Sequence, residues 1–397
     1  MPISTAHQSA QFGLETASNS RPPTIGMLST YPPTQCGLAT FSAALVQHLR
    51  RAAGSVGVVR VVDDPVLGHD RDVVAHLVNG SPDSAGAAVR RLNGFDAVVI
   101  QHEYGIYGGS DGIDVLAIVD ALAVPTIIVL HTVLQNPTAG QRHILLRLLA
   151  AADVVVTMTH TASRRLVASY GADPTQVVVI PHGAVDHGHP APVERRPGAR
   201  PLVLTWGLLG PGKGIEWAID AMAGLSDLRP RYLVMGRSHP KVVQRDGEAY
   251  RDGLVQRAQD AGVHDIVELD DRYLGVGELA ALVREADVVL LPYDSREQVT
   301  SGVLIEAVAA GRPVVSTAFP HAIELLADGT GLVVPQRDAT ALEAALRRVL
   351  SEPGLADDMA EQAAQKAPEL LWAAVAARYR TIAAAAVAAA AGRTEVA

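Results

Sequence analysis

Short runs of branched apolar residues recur along this chain, and most run into a polar or glycine-bearing loop followed by a helical pattern. Thr24-Ile25-Gly26-Met27-Leu28-Ser29 leads through a loop ending at Gly37 into a helix with Leu38, Phe41, Leu45 and Leu49 on one face. The alternation continues through Val56–Val62, Ala97–Ile100, Thr126–Leu130, Val154–Thr159 and Val177–Ile180. It resumes at Leu202–Trp206, Leu233–Met235 and Ala286–Leu291. Runs of this length and branching suit parallel strands buried on both faces, with the helices as crossovers. A chain of 397 residues is long enough for two such units. The Pro-, Gly-, His- and Arg-rich stretch from His187 to Arg200 marks the linker between them. The expected division is a disordered tail over 1–23, an α/β domain over 24–187, a second over 201–366, and an alanine-rich helix over 367–397.

Composition narrows the partners. A formal charge of −9 argues against a general nucleic-acid binder. No contiguous apolar run reaches the length of a membrane span, and the N-terminus lacks a signal pattern. The single Cys36 excludes an intrachain disulfide and agrees with a reducing compartment, so a cytoplasmic protein is expected.

The densest chemistry lies between Leu290 and Val315. A buried-strand pattern ends there in a polar loop, Asp294 to Gly302, which runs into an apolar helix around a single acid, Glu306. The loop residues Thr300, Ser301 and Gly302 then stand at a helix N-terminus, where free N–H groups and the helix dipole favour an anion. A second glycine loop, Gly207 to Lys213, has the G-x-x-x-x-G-K spacing of a nucleotide-binding P-loop. Gly214 follows in place of the Ser or Thr that would hold magnesium, so the P-loop reading is rejected. Two strand ends in the first half carry histidines, Gln101-His102-Glu103 and Leu130-His131-Thr132. Groups just past the carboxyl end of a parallel strand sit where open α/β sheets bind ligands. Each of these histidines can equally cap its strand, and Gly37 can equally serve a plain tight turn.

Glu306 ahead of Ala307-Val308-Ala309-Ala310-Gly311-Arg312-Pro313 resembles the donor-binding segment of the family 4 retaining glycosyltransferases, which have the GT-B fold. The resemblance implies two Rossmann-like domains facing each other across a cleft, with the C-terminal helix crossing back to the first. It implies transfer of a hexose from a nucleoside diphosphate sugar, of the GDP-mannose or UDP-glucose type, to a saccharide or other hydroxyl acceptor. No cofactor and no metal are expected. The family carries two glutamates separated by seven residues; the second falls on Glu306, and the first position is Gln298, with Glu297 displaced by one. In the diphosphate clasp Lys213 matches the family's lysine, while its arginine position is Leu208. Arg237 and Arg272 are alternative sources of positive charge.

The implied catalytic set is His131, Lys213 and Glu306. Gly37, His102, Gly207, Gln298, Thr300, Ser301 and Gly302 join Lys213 and Glu306 as donor contacts, and Glu103 is an alternative to the histidines. Two other readings of such a cleft are a non-catalytic sugar-nucleotide binder and a sugar-nucleotide epimerase of the same shape.

Overall fold

The computed structural model describes residues 21–51, 55–66, 68, 71–188 and 198–396. Most of the expected tail (1–20) and the centre of the linker (189–197) lie outside the described residues.

Two parallel sheets form, as the alternation implies. The first contains β1 (Ile25–Ser29), β2 (Val56–Val62), β3 (Val73–Val78), β4 (Ala97–His102), β5 (Thr126–Leu130), β6 (Val154–Thr157) and β7 (Val177–Val179). Its spatial order is β3-β2-β1-β4-β5-β6-β7. The second contains β8 (Leu202–Trp206), β9 (Arg231–Met235), β10 (Val267–Asp270), β11 (Val288–Leu291), β12 (Val314–Thr317) and β13 (Gly331–Val334), in the order β10-β9-β8-β11-β12-β13. Helices cover both faces of each sheet, and the inner strands β1, β4, β5, β8, β11 and β12 are buried along their whole length.

Each sheet reverses direction once. The reversal lies between β1 and β4 in the first and between β8 and β11 in the second. At such a point neighbouring crossovers go to opposite faces and leave a crevice beyond the carboxyl ends of the strands. The loops that emerge at these two crevices are 30–37, 103–109, 207–214 and 292–301, which hold most of the candidate residues.

The chain crosses between domains twice, side by side. Ala184 N–H donates to Leu370 O at 2.7 Å, and Trp372 N–H donates to Ala184 O at 3.0 Å. The last helix, Trp372–Val396, then packs on the first domain, burying Trp372, Val375, Ala376, Tyr379 and Ala383 beside Phe41, Val99 and Ile127. By length and average composition alone its Trp372–Arg393 portion is apolar enough to cross a membrane, although no contiguous apolar run in it reaches the length of a span. Arg378 and Arg380 break every contiguous apolar run there, so only an average over the helix reveals it.

Candidate active site

Backbone geometry sets the donor-side loop. Gly214 has φ +63°, and a Cβ there would overlap the Pro292 carbonyl oxygen, so a side chain is excluded twice over. Gly207 (φ +122°) and Gly236 (φ +141°) meet in the same way, a Cβ on Gly236 overlapping Gly207 O. Only glycines let the ends of β8 and β9 approach this closely. The loop so formed holds Lys213 half-buried, its Nζ 4.3 Å from the ring centroid of fully buried Tyr293. That cation–π contact orients the ammonium beside the β11 loop.

Other cations gather around it. Burial, with the charges of Lys241 and Lys213, pushes the His239 imidazole below its ordinary pKa. Lys241 Nζ donates to Gly105 O of the first domain at 3.2 Å. Arg237 donates to Asp271 O at 3.2 Å and to Gln35 Oε1 of the first domain at 3.4 Å. Arg272 instead lies against Asp270, with contacts of 2.5 to 3.0 Å, and is committed to that pair.

The helix Gly302–Ala309 begins beside the same glycine loop, Val303 lying 3.8 Å from where a Cβ on Gly207 would stand. Ser301 caps it, its Oγ accepting from Leu304 N–H at 3.3 Å, while its own N–H donates to His321 Nδ1 at 2.8 Å. The first N–H groups, those of Gly302 and Val303, have no intrahelical acceptor. Thr300 Oγ1 is buried without a hydrogen-bond partner among the described residues, and Gln298 Nε2 donates locally to Thr300 O at 3.2 Å. Any Cβ on Gly302 would stand 2.8 Å from His182 Nε2, a ring at the end of the first domain.

Glu306 turns toward the interdomain connection. Its carboxylate accepts from Val185 N–H at 3.2 and 3.3 Å and lies 3.3 Å from His187 Nε2. The side chain keeps 22% exposure, and a carboxylate has about four acceptor sites, so lone pairs remain for a ligand hydroxyl.

On the first domain the two histidines separate. β4 and β5 pair with His102 opposite Leu130 and Gln101 opposite Val129. Side chains alternate along a strand, so His102 takes the Leu130 face and His131, one residue past the pairing, takes the Val129 face with Gln101. His102 is fully buried between Tyr104 and Tyr107, with neither ring nitrogen bonded to any of the described residues, and burial lowers its pKa to about 4. It presents no atom to the cleft.

His131 is half-buried, stands edge-on to Phe41 at 4.9 Å, and places Nε2 2.7 Å from Gln101 Oε1. With that oxygen accepting, the hydrogen is assigned to Nε2 and Nδ1 is a bare acceptor. Burial, followed by neighbouring His182 and His102, holds the ring well below its ordinary pKa and therefore neutral. Glu103 bonds Thr132 Oγ1. Burial raises its carboxyl pKa, against the pull of Thr132, Tyr104 N–H and Lys241. Gly37 is exposed at the start of the helix Gly37–Arg51, with no atom within 4 Å of where a Cβ would stand, while Cys36 Sγ accepts from Ala39 N–H at 3.3 Å.

Two acids join the domains across the cleft. Glu297 accepts from Gln135 N–H at 2.7 Å, pairs with Arg165 at 3.1 Å, and is 3.5 Å from Asn136 Nδ2. Gln135 and Asn136 belong to the loop that follows His131, and Arg165 ends the helix His160–Arg165. Val299, two residues after Glu297, is buried in the core cluster of the first domain. Glu324 caps the helix His160–Arg165, accepting from His160 N–H at 2.8 Å, Thr161 N–H at 2.7 Å and Thr161 Oγ1 at 2.6 Å. Burial pushes its carboxyl up, but these three bonds more than offset it and the net shift is downward.

Comparison with known proteins follows the same division of the chain. Residues 36–186 match the family model of "Glycosyltransferase Family 4", and residues 200–352 match "Glycosyl transferases group 1". The two matches meet at the linker and together cover most of the chain. The chain belongs to family 4 of the glycosyltransferases. Within the family it is similar to D-inositol 3-phosphate glycosyltransferases, at 31% identity in Kineococcus radiotolerans over 57% of this chain and 55% of that one. In Actinosynnema mirum the figures are 33%, 57% and 56%. A glycogen synthase of Mycobacterium tuberculosis is 30% identical over 55% of this chain and 50% of its own. The matches thus span about half the length of these curated relatives.

Among solved structures, Anabaena HepE in complex with UDP and glucose superposes with a TM-score of 0.74 at 16% identity, over 91% of this chain and 100% of its own. The lipopolysaccharide glycosyltransferase WaaG gives 0.63 at 18%, over 90% and 99%. These likenesses establish the GT-B fold.

Proposed function

We propose that this protein transfers a hexosyl group from a nucleoside diphosphate sugar to a hydroxyl acceptor, with retention at the anomeric carbon. The observation that carries the reading is Lys213, held 4.3 Å over the Tyr293 ring on a glycine loop beside the N-terminus of Gly302–Ala309. As the glycosidic bond breaks, the diphosphate gains negative charge, and fixed donors already in place stabilise that charge without reorganising. Lys213 and the leading N–H groups of the helix supply it, so the reading needs no divalent ion and no cofactor. The neutral His131 offers Nδ1 as an acceptor to a hydroxyl of the transferred sugar. Glu306 keeps lone pairs for the donor ribose, and Gln298 stands in the loop before it.

UDP-glucose and GDP-mannose are the donor types to test, and the relatives' acceptors make a sugar or cyclitol hydroxyl the acceptor class to try. Thermal shift against nucleoside diphosphates and their sugars tests the donor half. A ligand at 100 times its Kd stabilises by about 2.7 kcal/mol. A shift with one base that shrinks in Lys213→Ala supports the assignment; no shift with any base contradicts it.

A further inference from the structure

Beside the paired crossover segments lies a cavity of about 270 Å³ lined by His48, Arg51, Asp186, Trp372 and Arg380. We propose that it binds a phosphate group, as a site separate from the donor cleft. Arg380 is half-buried and has no carboxylate partner among the described residues. Arg51 reaches only His48, its guanidinium donating to Nε2 at 3.3 Å, whereas its neighbour Arg50 is paired with Asp72. The one acid of the lining, Asp186, accepts from Gly188 N–H at 2.9 Å in a turn of its own. Arg51 and Arg380 both line this cavity with no carboxylate partner among the described residues, and two such guanidiniums are the donor set that suits the planar, two-point recognition of a phosphate.

The cavity falls just below the range of sites that enclose drug-sized ligands, roughly 300 to 1,000 Å³. It therefore suits inorganic phosphate or a small phosphate ester. Its place matters for the rest of the molecule. The wall residue Trp372 lies 5.5 Å from His182 and 5.0 Å from Phe41, and Phe41 lies 4.9 Å from His131. A ligand held between Arg51 of the first domain and Arg380 of the last helix therefore touches the packing that positions the cleft histidines.

Calorimetric titration of inorganic phosphate into the full chain, in phosphate-free buffer, tests the site. The expected result is binding that Arg51→Gln and Arg380→Gln each weaken by roughly tenfold or more, while both variants keep their affinity for a nucleoside diphosphate at the donor cleft. Arg51 is exposed, so its variant folds even where Arg380→Gln is destabilised, and unfolding midpoints without phosphate check both. Absence of binding in the parent protein, or loss in Lys213→Ala with retention in both arginine variants, overturns the proposal. A second arm separates the sources of the phosphate. Co-sedimentation with phosphatidic acid vesicles that is lost in the same two variants assigns a lipid headgroup to the site. Phosphate binding without sedimentation assigns a soluble ester.

Discussion

Removing the Glu297 carboxylate should weaken the productive approach of the two domains and leave nucleotide binding on the donor domain intact. The carboxylate is one-third exposed, but its partner Arg165 is only 11% exposed and otherwise donates to Val133 O. Glu297→Ala strips that guanidinium of its counter-charge and frees Gln135 N–H and Asn136. A hydrogen bond to a charged group is worth about 1.5 to 3 kcal/mol, and partial exposure discounts it toward the lower end. With the orphaned arginine included, the loss of interdomain contact comes to about 1 to 3 kcal/mol. If transfer requires the closed arrangement, kcat/KM for the sugar nucleotide falls by about 5- to 150-fold.

Glu297→Gln should fall between, since its amide oxygen still accepts from Gln135 N–H. Affinity for the bare nucleoside diphosphate should hardly move. Steady-state kinetics beside a binding titration of the diphosphate separates these effects. Unchanged kcat/KM in Glu297→Ala would refute this interdomain role. Equal losses in transfer and in diphosphate affinity would place Glu297 on the donor instead, and would show that the loop is read in the wrong register relative to Gln298.

Lys213→Ala should cost about 2 to 4 kcal/mol of transition-state stabilisation, the scale for losing one preorganised electrostatic group; wild-type kcat/KM in that variant would remove the lysine from the diphosphate. Gly214→Ala should unfold or severely destabilise the donor domain, read as loss of the cooperative unfolding transition, because neither φ nor the Pro292 carbonyl tolerates a Cβ. Stability should fall on acidification from roughly pH 6.5 to 4. His102 and His321 have folded pKa values lowered to about 4 by burial, so the unfolded chain binds more protons across that window, and each contributes a slope of up to about 1.4 kcal/mol per pH unit. Urea midpoints against pH should therefore be flatter for His102→Phe than for the parent; an unchanged slope would contradict the burial argument.

The two doubly wound sheets and the returning helix are legible in the sequence because strand runs and glycine loops report on backbone conformation directly. The choice between His102 and His131 is not. Both close an apolar strand run, and only the pairing of His102 with Leu130 sends one ring into the tyrosine pocket and the other toward Phe41. Lys241 and Glu297 carry no local signal either, since their partners Gly105 and Gln135 lie far away in sequence and belong to the other domain. Glu306 stands in the helix where the family pattern puts it, yet its contacts to Val185 and His187 depend on how the two domains dock.

The most direct test is turnover. Incubation with UDP-glucose or GDP-mannose and a panel of sugar and cyclitol acceptors should release one nucleoside diphosphate per acceptor consumed, persist in a chelator, and give by NMR a product with the donor's anomeric configuration. Tight donor binding with no release of diphosphate, or conversion of the donor in the absence of any acceptor, would contradict the account.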